Sequence, residues 1–286
     1  MIALWRWRMM EVFSLGHYQY RVKRDWIKLP QNKPLNHISG VSTDNDGHIY
    51  VLQRSNPFML IFSNDGELLD EWYDETLSDG HYFRLTNDGR VCVVDRNHHR
   101  IVIFNRSGQI LQVIGDQQNP GRLGIPFNHP TDVSVTDQGN FFVSDGYGNF
   151  SVHHLDSNGE LINTWGKPGK GKGEFTVPHS VLVDQRDRVL VVDRENNRVQ
   201  IFNQSGTYLG EINHLYRPMN IYEDKDGFLY VTDQTPTVKL FHSNGELLGR
   251  FLTLGTIGHG VTVDENGDVY IAEMFHDEII KFIRLS

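Results

Sequence analysis

Residues 181–194 read VLVDQRDRVLVVDR. One apolar run enters a polar turn around Asp187, a second apolar run leaves it, and the second run ends on an acid, Asp193. Short Val- and Leu-rich runs on either side of a turn signal are the pattern of an antiparallel β-hairpin. The same pattern recurs at Val41–Arg54 around Asp46-Gly47, Phe83–Arg96 around Asp88-Gly89 and Val133–Asp145 around Gln138-Gly139. It continues at Ile221–Asp233 around Asp226-Gly227 and Val261–Glu273 around Asn266-Gly267. The end positions are Gln53, Asp95, Asp145, Asp193, Asp233 and Glu273, in steps of 42, 50, 48, 40 and 40 residues. A third strand such as Arg100–Phe104 or Val199–Phe202 follows, with a second turn and a fourth strand such as Leu247–Phe251. No long segment has a helical period. Six four-stranded units at this spacing predict an all-β fold, a six-bladed β-propeller.

The last unit stops after its third strand, Glu278–Leu285, and a spare alternating segment, His17–Arg24, stands near the start. That segment is expected to supply the outer strand of the last blade, because closing the ring removes two exposed strand edges. Residues 1–16 then read as an N-terminal tail and 17–286 as a single propeller domain.

The chain has 286 residues with 27 Lys plus Arg against 36 Asp plus Glu, a formal charge of −9. That balance argues against a general nucleic-acid or anionic-membrane binder. One cysteine, Cys92, excludes an internal disulfide framework and a cysteine-only metal cage. No apolar run is long enough to span a bilayer, and the opening residues lack the cleavage site of a secretory signal. The expected location is cytoplasmic, with no transmembrane segment and no nucleic-acid partner.

His81, His179 and His259 each lie 14 residues before the end position of their unit, Asp95, Asp193 and Glu273. The other units carry Ser39, Thr131 and Met219 at that offset. With 14 histidines in the chain, strict alternation at one offset is hard to obtain by chance. The first strand of each propeller blade lines the channel, so matching positions in alternate blades converge from three sides. Three imidazoles are the protein part of a catalytic zinc site with one position open. Imidazole also suits other divalent transition metals, so zinc is favoured among them. Arg54, Arg96 and Arg194 each follow an end position, and Tyr147 sits two residues after Asp145. An arginine beside a metal suits a substrate carboxylate, and a tyrosine there suits proton transfer. His129, next to Pro130, is a candidate supporting residue. The acids at the end positions are expected to hold backbone N–H groups at the blade rim.

Several of these stretches resemble peptidyl-α-hydroxyglycine α-amidating lyase, a member of the NHL-repeat propellers. They are Pro130-Thr131-Asp132-Val133, Val143-Ser144-Asp145-Gly146-Tyr147-Gly148-Asn149, Phe175-Thr176-Val177-Pro178-His179-Ser180 and Asp193-Arg194-Glu195-Asn196-Asn197-Arg198-Val199-Gln200. The resemblance implies that His81, His179 and His259 hold zinc, that Tyr147 is catalytic, and that Arg54 and Arg194 bind substrate. The reaction it implies is cleavage of a carbinolamide C–N bond, turning an N-acyl α-hydroxyglycine into an amide and glyoxylate. The family's acid after the third histidine, which helps hold a structural calcium, is Gly260 here. Structural calcium is therefore not expected at that location. The expected partner is a small carboxylate-bearing substrate. A metal-dependent hydrolase of a small ester or lactone and a non-enzymatic protein-binding propeller stay open as alternatives.

Overall fold

The computed structural model describes residues 12–285. Six antiparallel sheets follow one another along the chain and build the ring of a propeller. Blade 1 comprises Ile38–Thr43, Ile49–Gln53, Met59–Phe62 and Leu68–Trp72. Blade 2 comprises Gly80–Leu85, Val91–Asp95, Arg100–Phe104 and Ile110–Gly115. Blade 3 comprises Asp132–Val135, Phe141–Asp145, Ser151–Leu155 and Leu161–Trp165. Blade 4 comprises Pro178–Val183, Arg188–Asp193, Arg198–Asn203 and Tyr208–Ile212. Blade 5 comprises Pro218–Glu223, Leu229–Asp233, Thr237–Phe241 and Leu247–Leu252.

Blade 6 is built from both ends of the described chain. Gly258–Val263, Val269–Glu273 and Glu278–Arg284 are completed by Tyr18–Lys23, which pairs antiparallel with the last strand from Tyr20–Arg284 to Lys23–Lys281. The expected closure is present. Trp26 locks the seam by donating its indole N–H to the Ile279 carbonyl at 2.8 Å. The expected tail lies outside the described residues as far as residue 11. Its end, Val12–Leu15, forms a fifth strand on Tyr18–Lys23, with Leu15 fully buried.

The hairpin turns are set by short polar side chains. Asp44, Asp184, Asp224 and Asp264 each accept two backbone N–H groups, two and four residues on, with one carboxylate oxygen. The left-handed residue that closes such a turn is glycine at Gly47, Gly89, Gly139, Gly227 and Gly267, while Asp187 takes that role in blade 4 with φ 57°.

The core lies between blades. Six apolar clusters each draw on two neighbouring sheets, such as Trp72 with Phe83 and Phe104 between blades 1 and 2. The second strand is buried on both faces in every blade, which explains its mainly aliphatic and aromatic content. This packing fixes the six first strands around a common channel.

Candidate metal centre

His81, His179 and His259 are each the extra residue of a β-bulge. In blade 2, Gly80 pairs with Asp95 and Tyr82 with Val94, which leaves His81 between them without a partner. Blade 4 repeats this around His179 and blade 6 around His259. A bulge re-aims the side chain of its extra residue. Here it turns the three rings toward one another, with centroids 5.0, 5.0 and 5.2 Å apart. Their ligand nitrogens all lie within 4.8 Å of one another, and all three residues are buried.

The tautomer follows from the partners. His81 Nδ1 lies 2.7 Å from the Thr131 carbonyl, His179 Nδ1 2.7 Å from the Met219 carbonyl, and His259 Nδ1 2.6 Å from the Ser39 carbonyl. A carbonyl only accepts, so each Nδ1 carries the proton and each Nε2 presents a lone pair. Thr131, Met219 and Ser39 are the residues at the same offset in the three blades without histidine. Each ring is therefore oriented by the blade that follows its own.

Burial also holds the rings neutral. It is the largest cause of the lowering at all three, with neighbouring imidazoles next for His81 and an arginine next for the others. His259 falls to about 3. Three converging neutral Nε2 acceptors fit a divalent cation of the zinc type, and the Nδ1–carbonyl contacts are the outer support such ligands carry.

Tyr147 closes the mouth of this cluster. Its hydroxyl is 3.1 Å from both His81 Nε2 and His179 Nε2, although one phenolic proton serves only one of them. The flanking glycines are required by close approach. A Cβ on Gly146 would meet the Pro178 carbonyl at 2.1 Å, and one on Gly148 would meet Asn128 at 2.4 Å. The Tyr147 N–H reaches the His129 carbonyl at 3.4 Å, so His129 supports the loop through its backbone.

Arg194 donates from Nη1 to the Tyr147 oxygen at 3.4 Å and pairs with Glu195 at 2.9 Å. The Arg194 and Arg96 guanidinium carbons lie 5.6 and 5.4 Å from the Tyr147 ring centre. Arg54 stands on the other side. Its Nε is 3.3 Å from Asp79 Oδ1, yet both atoms are buried without a hydrogen-bond partner among the described residues. Asp79 also pairs with Arg96 through its second oxygen. One carboxylate thus serves two guanidinium groups. Asp79 was missed in the sequence reading. Its signal lies 16 residues before the end position, where the six units carry His37, Asp79, His129, Val177, Arg217 and Ile257, with an acid only in blade 2.

The end positions form a conserved geometry within the ring. Gln53, Asp95, Asp145, Asp193, Asp233 and Glu273 each accept the backbone N–H of the residue 17 positions earlier. Four are further held by a basic side chain of the third strand: Asp95 by Arg100, Asp145 by His153, Asp193 by Arg198 and Asp233 by Lys239. They anchor the loops that carry the site.

Deeper in the channel, Ser180 Oγ donates to Asp132 at 2.6 Å, Arg84 pairs with Asp132 at 3.0 Å, and Tyr82 donates to Asn220 at 2.9 Å. The Tyr82 ring occupies the space beside Gly260, where a Cβ would stand 3.0 Å from it. A second cluster, Asp44, Asp46 and His48, lies in a blade 1 turn. Arg106 pairs with both of its acids, at 3.5 and 3.1 Å, which accounts for it as a charged turn.

A family model described as a 6-bladed beta-propeller matches residues 125–246, and an NHL repeat model matches residues 83–104. Peptidyl-glycine alpha-amidating monooxygenase B of Xenopus laevis is 31% identical over 194 residues, covering 60% of this chain and 22% of that protein. A probable peptidyl-alpha-hydroxyglycine alpha-amidating lyase of Caenorhabditis elegans is 40% identical over 94 residues, covering 32% of this chain and 27% of that protein. Human NHL repeat-containing protein 3 is 26% identical and covers 93% of this chain and 85% of its own length. The chain spans about a fifth of the length of the amidating monooxygenases it matches. Among solved structures, a streptogramin B lyase superposes with a TM-score of 0.69 at 12% identity, covering 96% of this chain and 100% of the other, a likeness of fold. The chain is a six-bladed β-propeller with NHL repeats, related in sequence over part of its length to the peptidyl-amidating lyases.

Proposed function

We propose that this propeller is a metal-dependent lyase that cleaves the C–N bond of a small α-hydroxyglycine amide, releasing an amide and glyoxylate. The observation that carries the reading is the convergence of three Nε2 lone pairs at a mouth walled by a phenol and guanidinium groups. His81, His179 and His259 would hold a divalent cation, zinc by first choice, which would supply Lewis-acid polarisation at the substrate hydroxyl.

Arg54 or Arg194 binds the substrate carboxylate, because a guanidinium matches it with two parallel donors. Arg54 suits this role since its side chain is partly exposed and lines a recess at the mouth. Tyr147 is the general base that takes the α-hydroxyl proton. The C–O bond becomes a carbonyl as the C–N bond breaks, and the same proton passes from Tyr147 to the leaving nitrogen, so atoms and charge balance. Arg194 offers the phenolic oxygen a charge-assisted hydrogen bond while it carries the charge.

The test is glyoxylate release from N-benzoyl-α-hydroxyglycine by zinc-loaded protein. Stoichiometric glyoxylate and benzamide would support the reading, and intact substrate after prolonged incubation would overturn it. Turnover of small esters or lactones without glyoxylate release would instead favour the hydrolase alternative.

A further inference from the structure

The mouth of the channel is asymmetric. Tyr147 and Arg194 stand on one side, while on the other a half-open recess of about 630 Å³ lies between loops of blades 6, 1 and 2. Its lining includes Arg54, Arg96 and Asp79 and also Met274 and Phe275. A recess of this size holds a small organic molecule.

These two sets of residues have opposite chemistry. Two guanidinium groups, those of Arg54 and Arg96, share the single carboxylate of Asp79. That grouping accommodates an anion. Phe275 is 62% exposed, more than any other large hydrophobic residue described, and it makes no ring contact among the described residues. A phenyl ring and a thioether lining one recess gain most by covering an apolar, preferably aromatic, body. Asp277 also lines the recess. It accepts the Ile38 N–H at 3.0 Å and pairs with neither arginine, so it disfavours a second acidic group in the ligand.

Resting on the lyase reading above, we propose that this recess binds the acyl end of the substrate and selects N-acyl α-hydroxyglycines of compact apolar or aromatic acids. The carboxylate lies toward Arg54 and the acyl body covers Met274 and Phe275. Phe275 is then a specificity-determining residue.

The test is calorimetric titration of the metal-loaded full chain with N-benzoylglycine and N-acetylglycine, which lack the α-hydroxyl and cannot react. N-benzoylglycine is expected to bind about tenfold more tightly, the scale of one aromatic contact with its buried area. In Phe275→Ser the advantage should fall to within about twofold, at an unchanged thermal midpoint, whereas Leu209→Ser, exposed elsewhere on the ring, should retain it. Equal affinities in the unaltered protein, or an advantage that survives Phe275→Ser, would overturn the proposal. If that happens while glyoxylate is still released from the α-hydroxy compound, the recess assignment alone fails. Absence of both binding and glyoxylate release would remove the lyase reading with it.

Discussion

The Tyr147 hydroxyl sits 3.1 Å from two imidazole nitrogens and 3.4 Å from a guanidinium, so a change of one atom there separates chemistry from metal binding. Tyr147→Phe is expected to lower kcat by about 10²–10⁴-fold, the usual range for losing a positioned acid–base group. Bound metal per chain, measured by elemental analysis, should be unchanged. His179→Ala should do the reverse at the first step and lose the metal, because two imidazoles remain where three converged. Glu223 offers a different test. Burial first, then the nearby Asp184 and Asp224, push its carboxyl up to about 7. The folded chain therefore holds a proton that the unfolded chain releases, and stability should decline as pH rises from about 4.5 to about 7. Glu223→Gln should flatten that part of the curve of denaturation midpoint against pH. The alternation of histidines was legible because each lies at a fixed offset from an end position. The shared role of Asp79 was not, since it depends on where two arginines from different blades place their guanidinium groups.

Within each blade the end position ties the second strand to the loop that leads into the first. Asp193 is fully buried and holds the Thr176 N–H, the Asn196 amide, the Arg198 guanidinium and the Gln200 amide. Asp193→Ala leaves the Arg198 charge without its buried partner and should lower unfolding free energy by about 3–5 kcal/mol in urea denaturation. The repeat was legible at this scale because the Asx turns and the doubly buried second strands recur in register. The expected backbone-holding role of the acids is what the hydrogen bonds display, and Gln53 fills the same position with an amide. The β-bulges at the histidines were not legible, because an extra residue leaves no mark in a pattern of apolar runs. Nor was the strand Val12–Leu15, whose four residues are too few to show a period.

Across the whole molecule the ring depends on one non-covalent seam. Tyr18–Lys23 carries Tyr20, fully buried against Phe251 with ring centres 5.7 Å apart. Tyr20→Ala should destabilise the protein by about 3–5 kcal/mol, as for other buried aromatic truncations, and should raise hydrogen exchange in blade 6 before the other blades. The closure was legible because a missing outer strand at one end matched a spare one at the other. The channel interior was not, since Arg84, Asp132 and Ser180 meet only when three blades face one axis. The contact from His259 to the Ser39 carbonyl crosses that same seam, joining blade 6 to blade 1. A cation bound by these three alternate blades would consequently also be a thermodynamic latch on the circle. Any occupancy that prefers the closed ring must raise its melting temperature in proportion to the logarithm of free metal, and loosening the seam must weaken the grip on the ion by the same coupling energy.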